Sequence, residues 1–185
     1  MQSYKRLFIG TFLKTDALIS EYPKIKREFE VAVTGKWVEE WNLHFTYHFL
    51  GNVSVEVIPE ILKELEPILK EYSYELTLHG LGCFPSLNSP RVLYVNIKES
   101  EKLLKQIHTS CSEVLTKLNF EIEQREYKPH LTLLRIKSFK LNFFRKSFKK
   151  YENFDFGVVE EFKVELIESR LTSEGPIYEP IKNLP

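Results

Sequence analysis

The sequence predicts an α+β protein of two pseudo-symmetric lobes made by internal duplication, each an antiparallel sheet with outer helices. Three observations carry that prediction. A phrase of His, apolar residue, Thr, apolar residue occurs twice in β-prone runs, as His44-Phe45-Thr46-Tyr47 and His130-Leu131-Thr132-Leu133. The two histidines, at 44 and 130, lie 86 residues apart, close to half of the 185-residue chain. The same shift lays Arg6-Leu7-Phe8-Ile9 on Val92-Leu93-Tyr94-Val95, Leu76, Leu78 and Gly80 on Phe162, Val164 and Leu166, and helices on helices. Two copies make a duplication; a solenoid needs three or more shorter repeats. Strands and helices mixed in this order suggest two meeting sheets covered by helices.

The elements follow from periodicity and punctuation. Arg6 to Leu13 is rich in β-formers and reads as a first, central strand. Asp16 is the expected N-cap of a helix to about Val31, with Leu18, Ile19, Tyr22, Ile25 and Phe29 at spacings of three and four. Gly35 punctuates, and Trp37-Val38 and Trp41-Asn42 lead to the first motif strand, Leu43 to Leu50. Gly51-Asn52 ends it. A second helix is expected from about Val55 to Glu71, frayed by Pro67. Tyr74 to Leu81 alternates as a strand, and Gly82 to Pro90 is the loop expected at the seam.

The order then repeats. Arg91 to Ile97 reads as a strand, Ser100 opens a helix to about Leu118, and His130 to Ile136 is the second motif strand. A basic helix from about Leu141 to Tyr151 follows. Phe162 to Leu171 reads as the last long strand, and Tyr178-Glu179-Pro180 as a tail. The expected organisation is one domain, 1–185, of two lobes, with a first repeat at about 1–88 and a second at about 89–185.

Bulk composition narrows the function. Lys+Arg and Asp+Glu are both 26, so no global charge points to nucleic acid, and an RNA-handling reading needs a local patch. An aromatic share of 14 % argues against disorder. Cys83 and Cys111 stand in no metal or CxxC spacing and are expected as free buried thiols in a reducing cytoplasm. Met1 to Arg6 lacks the apolar stretch of a signal peptide, and no apolar run approaches the roughly 20 residues that span a bilayer.

In a strand, residues i and i+2 share a face. His44 and Thr46 are therefore expected on one face and Phe45, Tyr47 and Phe49 on the other; His130 and Thr132 repeat the pattern against Leu131 and Leu133. Two imidazoles across a cleft suit in-line displacement at phosphorus. One takes a proton from water and the other gives one to the leaving oxygen. Threonine hydroxyls can donate to the non-bridging phosphate oxygens. This chemistry requires no metal. Strict alternation places His48 beside His44 at the cleft rim or in packing. Their spacing resembles a zinc pair, but i and i+4 converge on a helix rather than on a strand. His79 and His108 read as structural. Phe84, Arg91 and Tyr94 read as ordinary core aromatics beside a basic residue, or as a group that can hold a base and a phosphate. Lys137 to Lys150, basic and interleaved with Phe, can track an RNA backbone or form a solvated helix face.

Trp37-Val38 with Asn42-Leu43-His44-Phe45-Thr46-Tyr47-His48-Phe49-Leu50-Gly51 resembles the first signature of the 2H phosphoesterase superfamily, in particular of its RNA 2′,3′-cyclic phosphodiesterases (2′-5′ RNA ligases). Lys128-Pro129-His130-Leu131-Thr132-Leu133-Leu134-Arg135 resembles the second. Gly80-Leu81-Gly82, Phe84-Pro85, Pro90-Arg91-Val92-Leu93-Tyr94, Glu168-Ser169-Arg170-Leu171 and Gly175-Pro176-Ile177-Tyr178 extend the likeness over nearly the whole chain. The resemblance implies hydrolysis of 2′,3′-cyclic phosphate ends of RNA to 2′-phosphate without metal or nucleotide cofactor, with reversible 2′-5′ joining as a reported activity of the group. It implies His44 as general acid, His130 as general base, and Thr46 and Thr132 as phosphate ligands. Arg135 matches an Arg of the pattern, but alternation puts it opposite His130, so a bulge or strand end is required. The expected partner is RNA with a cyclic phosphate end, tRNA fragments among the candidates, met by a cytoplasmic monomer with no membrane. Two alternatives stay open: a phosphodiesterase for a small cyclic nucleotide or ADP-ribose cyclic phosphate, and a non-catalytic RNA- or nucleotide-binding module.

Overall fold

A computed structural model describes residues 3–99, 102–123, 125–173 and 175–181. Its strands are β1 (Tyr4–Phe12), β2 (Val33–Trp37), β3 (His44–Ser54), β4 (Glu71–Phe84), β5 (Val92–Lys98), β6 (His130–Phe139), β7 (Asp155–Lys163), β8 (Glu165–Leu171) and β9 (Pro176–Pro180). Its α-helices are α1 (Asp16–Phe29), α2 (Ile58–Leu65), α3 (Leu103–Lys117) and α4 (Leu141–Tyr151). The strands form two antiparallel sheets, β3-β1-β8-β9 and β2-β6-β5-β4-β7. Helices α1 and α4 pack together on the five-stranded sheet side, α1 against β7 and α4 against β4. Helices α2 and α3 pack together on the other side, α3 against β3.

The duplication is visible in strand order. A shift of 86 carries β1 onto β5, β3 onto β6 and the end of β4 onto β8. The three-strand units β3-β1-β8 and β6-β5-β4 then have the same order. Each takes its first two strands from one half of the chain and its third from the other. Repeat and sheet are therefore different units, and the two halves interlock.

One strand-like run serves both sheets. The single strand expected from Phe162 to Leu171 is interrupted at Val164, which is fully buried. Before it, β7 pairs with β4; after it, β8 pairs with β1. The main chain freed at the switch is satisfied locally. Val164 N–H donates to Lys70 O (3.0 Å) and buried Thr11 Oγ1–H donates to Lys163 O (2.8 Å). Such satisfaction is what makes a buried break in a ladder tolerable.

Other boundaries move for identifiable reasons. The cap of α1 is Thr15, whose side chain accepts Leu18 N–H at 3.1 Å, rather than Asp16, which supplies the first-turn charge. The helix buries Leu18, Tyr22, Ile25 and Phe29, as the spacing predicts. The second helix is shorter than expected: Val55–Val57 form a 3-10 turn, α2 ends at Leu65, and Glu71 already begins β4. Ser100, the expected opening of the third helix, lies outside the described residues. The Glu99 carboxylate accepts Leu104 N–H at 2.8 Å near the start of α3. Edge strand β2 replaces the expected punctuation at Gly35, where a Cβ would overlap the carbonyl of Arg135 on β6. The expected tail at Tyr178-Glu179-Pro180 is edge strand β9, paired with β8. Cys83 and Cys111 are free; Cys111 lies within the core as expected, whereas Cys83, near the end of β4, is only half-buried.

Tyr22 ties α1 to the second motif strand. Its ring is fully buried, and its hydroxyl donates to Val38 O (2.6 Å) with Leu133 O at 3.1 Å. Tyr22→Phe deletes that donor while keeping the ring. It is expected to lower unfolding free energy by about 1–2 kcal/mol, read from denaturant midpoints at unchanged m.

Candidate active site

His44 and His130 each begin a motif strand, and the chain before each ring holds it in the same way. His44 Nδ1–H donates to Asn42 O (2.6 Å), and His130 Nδ1–H donates to Lys128 O (2.7 Å). Asn42 and Lys128 are themselves equivalent under the 86-residue shift. Asn42 is buried and fixed in turn, its Nδ2 donating to Pro176 O at 2.7 Å. With Nδ1 occupied by a carbonyl, Nε2 is the nitrogen left for chemistry on both rings.

Aromatic rings wall each imidazole. Phe8 and Tyr178 lie 5.0 and 4.8 Å from His44; Phe84 and Tyr94 lie 5.0 and 5.1 Å from His130. Phe8 and Tyr94 are again shift equivalents. The Lys128 ammonium stands 5.4 Å over both the Phe84 and Tyr94 rings. Gly82 makes this wall possible, because a Cβ there would overlap the Tyr94 ring.

Strands β3 and β6 meet, and His44 lies within electrostatic reach of His130. Burial lowers the pKa of both imidazoles below the ordinary value. The carbonyl bonds oppose that shift, while Arg135 adds to it at both rings, His130 at His44, and Lys128 at His130. Thr46 and Thr132 are half-buried on the same faces as their histidines, with Phe45 and Leu131 in the core.

Two bulges rearrange the strand beyond each motif. Ile9 pairs with His48 and Gly10 with Thr46, leaving Tyr47 as an extra residue; Leu93 pairs with Leu134 and Tyr94 with Thr132, leaving Leu133. Tyr47 and Leu133 are 86 residues apart, so the bulge is itself duplicated. An extra residue sends all later side chains to the opposite face. Arg135 therefore shares the face of His130 and Thr132, through the bulge that its match to the motif pattern calls for. Its charge reaches His44, His130 and Tyr178.

The first-repeat bulge corrects the expectations for His48 and Phe49. His48 does not stand beside His44 but is 5 % exposed, and Phe49, expected in the core, is 64 % exposed. His48 Nε2–H lies 2.9 Å from His108 O and 3.0 Å from Ser112 Oγ. Its ring heads a stack with His108 (4.2 Å), then Tyr127 (4.3 Å), then Tyr47 (6.0 Å). Burial lowers the His108 pKa to about 4, with His48 adding to the effect. His44 and His48 thus point to opposite faces and are no ligand pair. Among the described residues, no three His, Cys, Asp or Glu side chains converge as a metal-binding group.

Pattern and period in the sequence do not single out Asn42, Lys128 or Tyr178 as site neighbours. The shift that superposes the histidines contains the signal for the first two. Tyr178 needs β9 to reach the site. Beside Tyr178 and Arg135 a cavity of about 600 Å³ opens between β9, β2 and the turn before β3.

Two antiparallel sheets carrying one buried-Nδ1 histidine each, on duplicated strands, define a protein of the 2H phosphoesterase class. A family model described as the AKAP7 2′5′ RNA ligase-like domain matches residues 8–185. An RNA 2′,3′-cyclic phosphodiesterase of Aquifex aeolicus is 35 % identical over 180 residues, covering 94 % of this chain and 93 % of that protein. One of Methanocaldococcus jannaschii is 34 % identical, covering 96 % and 98 %. The crystal structure of Escherichia coli LigT complexed with 3′-AMP shares the fold, with a TM-score of 0.72 at 21 % identity over 97 % of each chain. TT0787 of Thermus thermophilus does so with a TM-score of 0.72 at 22 % identity, over 96 % of this chain and 95 % of that one. The chain belongs to the RNA 2′,3′-cyclic phosphodiesterase (2′-5′ RNA ligase) family.

Proposed function

We propose that the protein hydrolyses the 2′,3′-cyclic phosphate at an RNA end to a 2′-phosphate, and that the reverse reaction joins 2′-5′ ends. The observation that carries this reading is the pair of histidines held alike through Nδ1, with Arg135 in electrostatic reach of both. The relatives named above for this activity support it. In the reaction, neutral His130 takes a proton from water as its oxygen attacks phosphorus. The bond from phosphorus to O3′ breaks, and O3′ receives the proton of charged His44. Thr46 and Thr132 donate to the non-bridging oxygens, and Arg135 offsets charge gathering there. Burial is the largest cause lowering both imidazoles, with Arg135 and His130 acting on His44 and Lys128 and Arg135 on His130. His130 as base and His44 as acid therefore follow the family resemblance rather than any electrostatic difference between the rings.

The reading extends to tRNA fragments as substrates, to a monomer, and to the cytoplasm, with the free thiols consistent with a reducing compartment. No helix among the described residues is long and apolar enough to cross a membrane. The deciding experiment incubates the protein and EDTA with an RNA ending in 2′,3′-cyclic phosphate and identifies the product. A 2′-phosphate is expected; a 3′-phosphate, or no product, overturns the reading.

The pH dependence has a definite sign. Both imidazoles titrate below the ordinary value of about 6.5, and the reactive form holds one proton between them. The bell for kcat/KM, which reports the free enzyme, is therefore expected to peak on the acid side of 6.5 and to fall through neutrality. The bell for kcat lies at higher pH, because the bound phosphate anion favours both charged rings. A kcat/KM that rises to a plateau above pH 7 contradicts this assignment.

A further inference from the structure

The cavity beside His44 has features that hydrolysis of the cyclic end does not use. Of the ten large hydrophobic side chains that stand exposed among the described residues, four line it: Trp41, Phe49, Leu171 and Ile177. Trp41 is 72 % exposed. Aromatic contact runs from Phe49 through Phe8 to Tyr178 and His44, in steps of 6.1, 5.3 and 4.8 Å, so the cavity is continuous with the reacting histidine. Isolated exposed apolar residues are ordinary, but a cluster around one concavity marks a binding surface.

The charges are one-sided. Arg6, Lys36 and Arg135 line the same cavity with one carboxylate, Glu39. Among the described residues none of the three cations lies within ion-pair distance of a carboxylate. Lys36 and Arg135 are moreover direct cross-strand partners of β2 and β6. Like charges placed opposite each other disfavour the sheet, a cost that a bound anion removes. The basic run from Lys137 to Lys150 offers less. On α4, Phe144 and Phe148 face the core, Lys149 and Lys150 are paired with Glu152 and Glu28, and Arg145 is bonded to Asn88.

We propose that this groove binds the single-stranded RNA leading up to the cyclic phosphate, a site distinct from the reacting centre. Bases stack on Trp41 and Phe49, and phosphodiesters lie on Lys36 and Arg6. Arg135 is the boundary residue, shared between groove and reacting phosphate. The occupant follows from chemistry: three cations gathered in one groove with a single carboxylate suit repeated negative charge, and exposed flat rings spaced among them suit unstacked bases. A volume of about 600 Å³ is that of a nucleotide-sized site. The proposal rests on an RNA end as substrate and adds the side on which its strand runs.

The test measures binding and turnover separately. The probe is a short labelled oligoribonucleotide carrying the product 2′-phosphate, titrated by fluorescence anisotropy over a range of salt. Trp41→Ala is expected to weaken its binding about tenfold. Lys36→Gln is expected to reduce the slope of log K against log salt by about 0.7, as loss of one single-strand phosphate contact does. Phe143→Ala, at an exposed ring on α4, leaves both quantities as in the wild type. With a cyclic-ended oligonucleotide as substrate, Trp41→Ala raises KM more than it does with a cyclic mononucleotide. Unchanged RNA affinity in Trp41→Ala, or an equal loss in Phe143→Ala, overturns the groove. Binding that depends on Trp41 without hydrolysis by the wild type upholds the groove and overturns the phosphodiesterase reading instead.

Discussion

His44→Ala and His130→Ala each lower kcat for a cyclic-ended RNA by about 10²–10⁴-fold, the span of general acid–base catalysis. Both rings lie at the start of strands whose next residues, Phe45 and Leu131, are buried, so removing the imidazole leaves the strand anchored. The double variant is little worse than either single one, because the groups act as a unit on one transferred proton pair. The two substitutions part company on a phosphodiester with a nitrophenol leaving group. That leaving group departs without a proton, so His44→Ala recovers much of its lost rate, whereas His130→Ala, lacking the base for water, does not. Recovery in His130→Ala rather than His44→Ala reverses the assignment of acid and base. Full turnover by both variants on RNA removes the histidines from the mechanism.

Sequence reveals those parts of the protein where one local rule operates alone. Helix α4 begins and ends where its pattern predicts, and the polar and apolar faces of His44 to Thr46 and of His130 to Thr132 follow the two-residue period. Three kinds of feature escape it. At Val164 the alternation runs unbroken from β7 into β8 because both sheets require an apolar residue there, so pattern carries no mark of the switch. Strands β2 and β9 are edge strands of five residues each, the one containing Gly35 and the other bounded by Pro176 and Pro180, so each reads as turn or tail. The bulges at Tyr47 and Leu133 change the face of the residues that follow, up to the next register shift, while leaving composition untouched. His48 shows the consequence: the period places it beside His44, and one extra residue places it against α3. At Arg135 the need for a bulge is itself readable, because a residue matching the motif stands on the wrong face.

Arg135→Ala is expected to lower kcat/KM for the cyclic end by about 10²–10³-fold, as removal of a preorganised charge at a transition-state oxyanion does. Its influence on both histidines predicts a second, independent signature. The guanidinium depresses both imidazole pKa values, so its removal moves both limbs of the kcat/KM bell to higher pH, a change that misfolding does not produce. Arg135→Lys restores the charge and much of the pH profile but not the rate, because an ammonium lacks the planar fork that meets two phosphate oxygens at once. Stability moves the other way. Lys36 faces Arg135 across β2 and β6, and deleting one of two opposed cations leaves Tm unchanged or raised. The bulge at Leu133 and the close approach at Gly35 thus hold Arg135 opposite Lys36, a placement whose expected cost the proposed phosphate contact offsets. Loss of rate together with loss of Tm in Arg135→Ala contradicts this account, since it makes the arginine part of the scaffold.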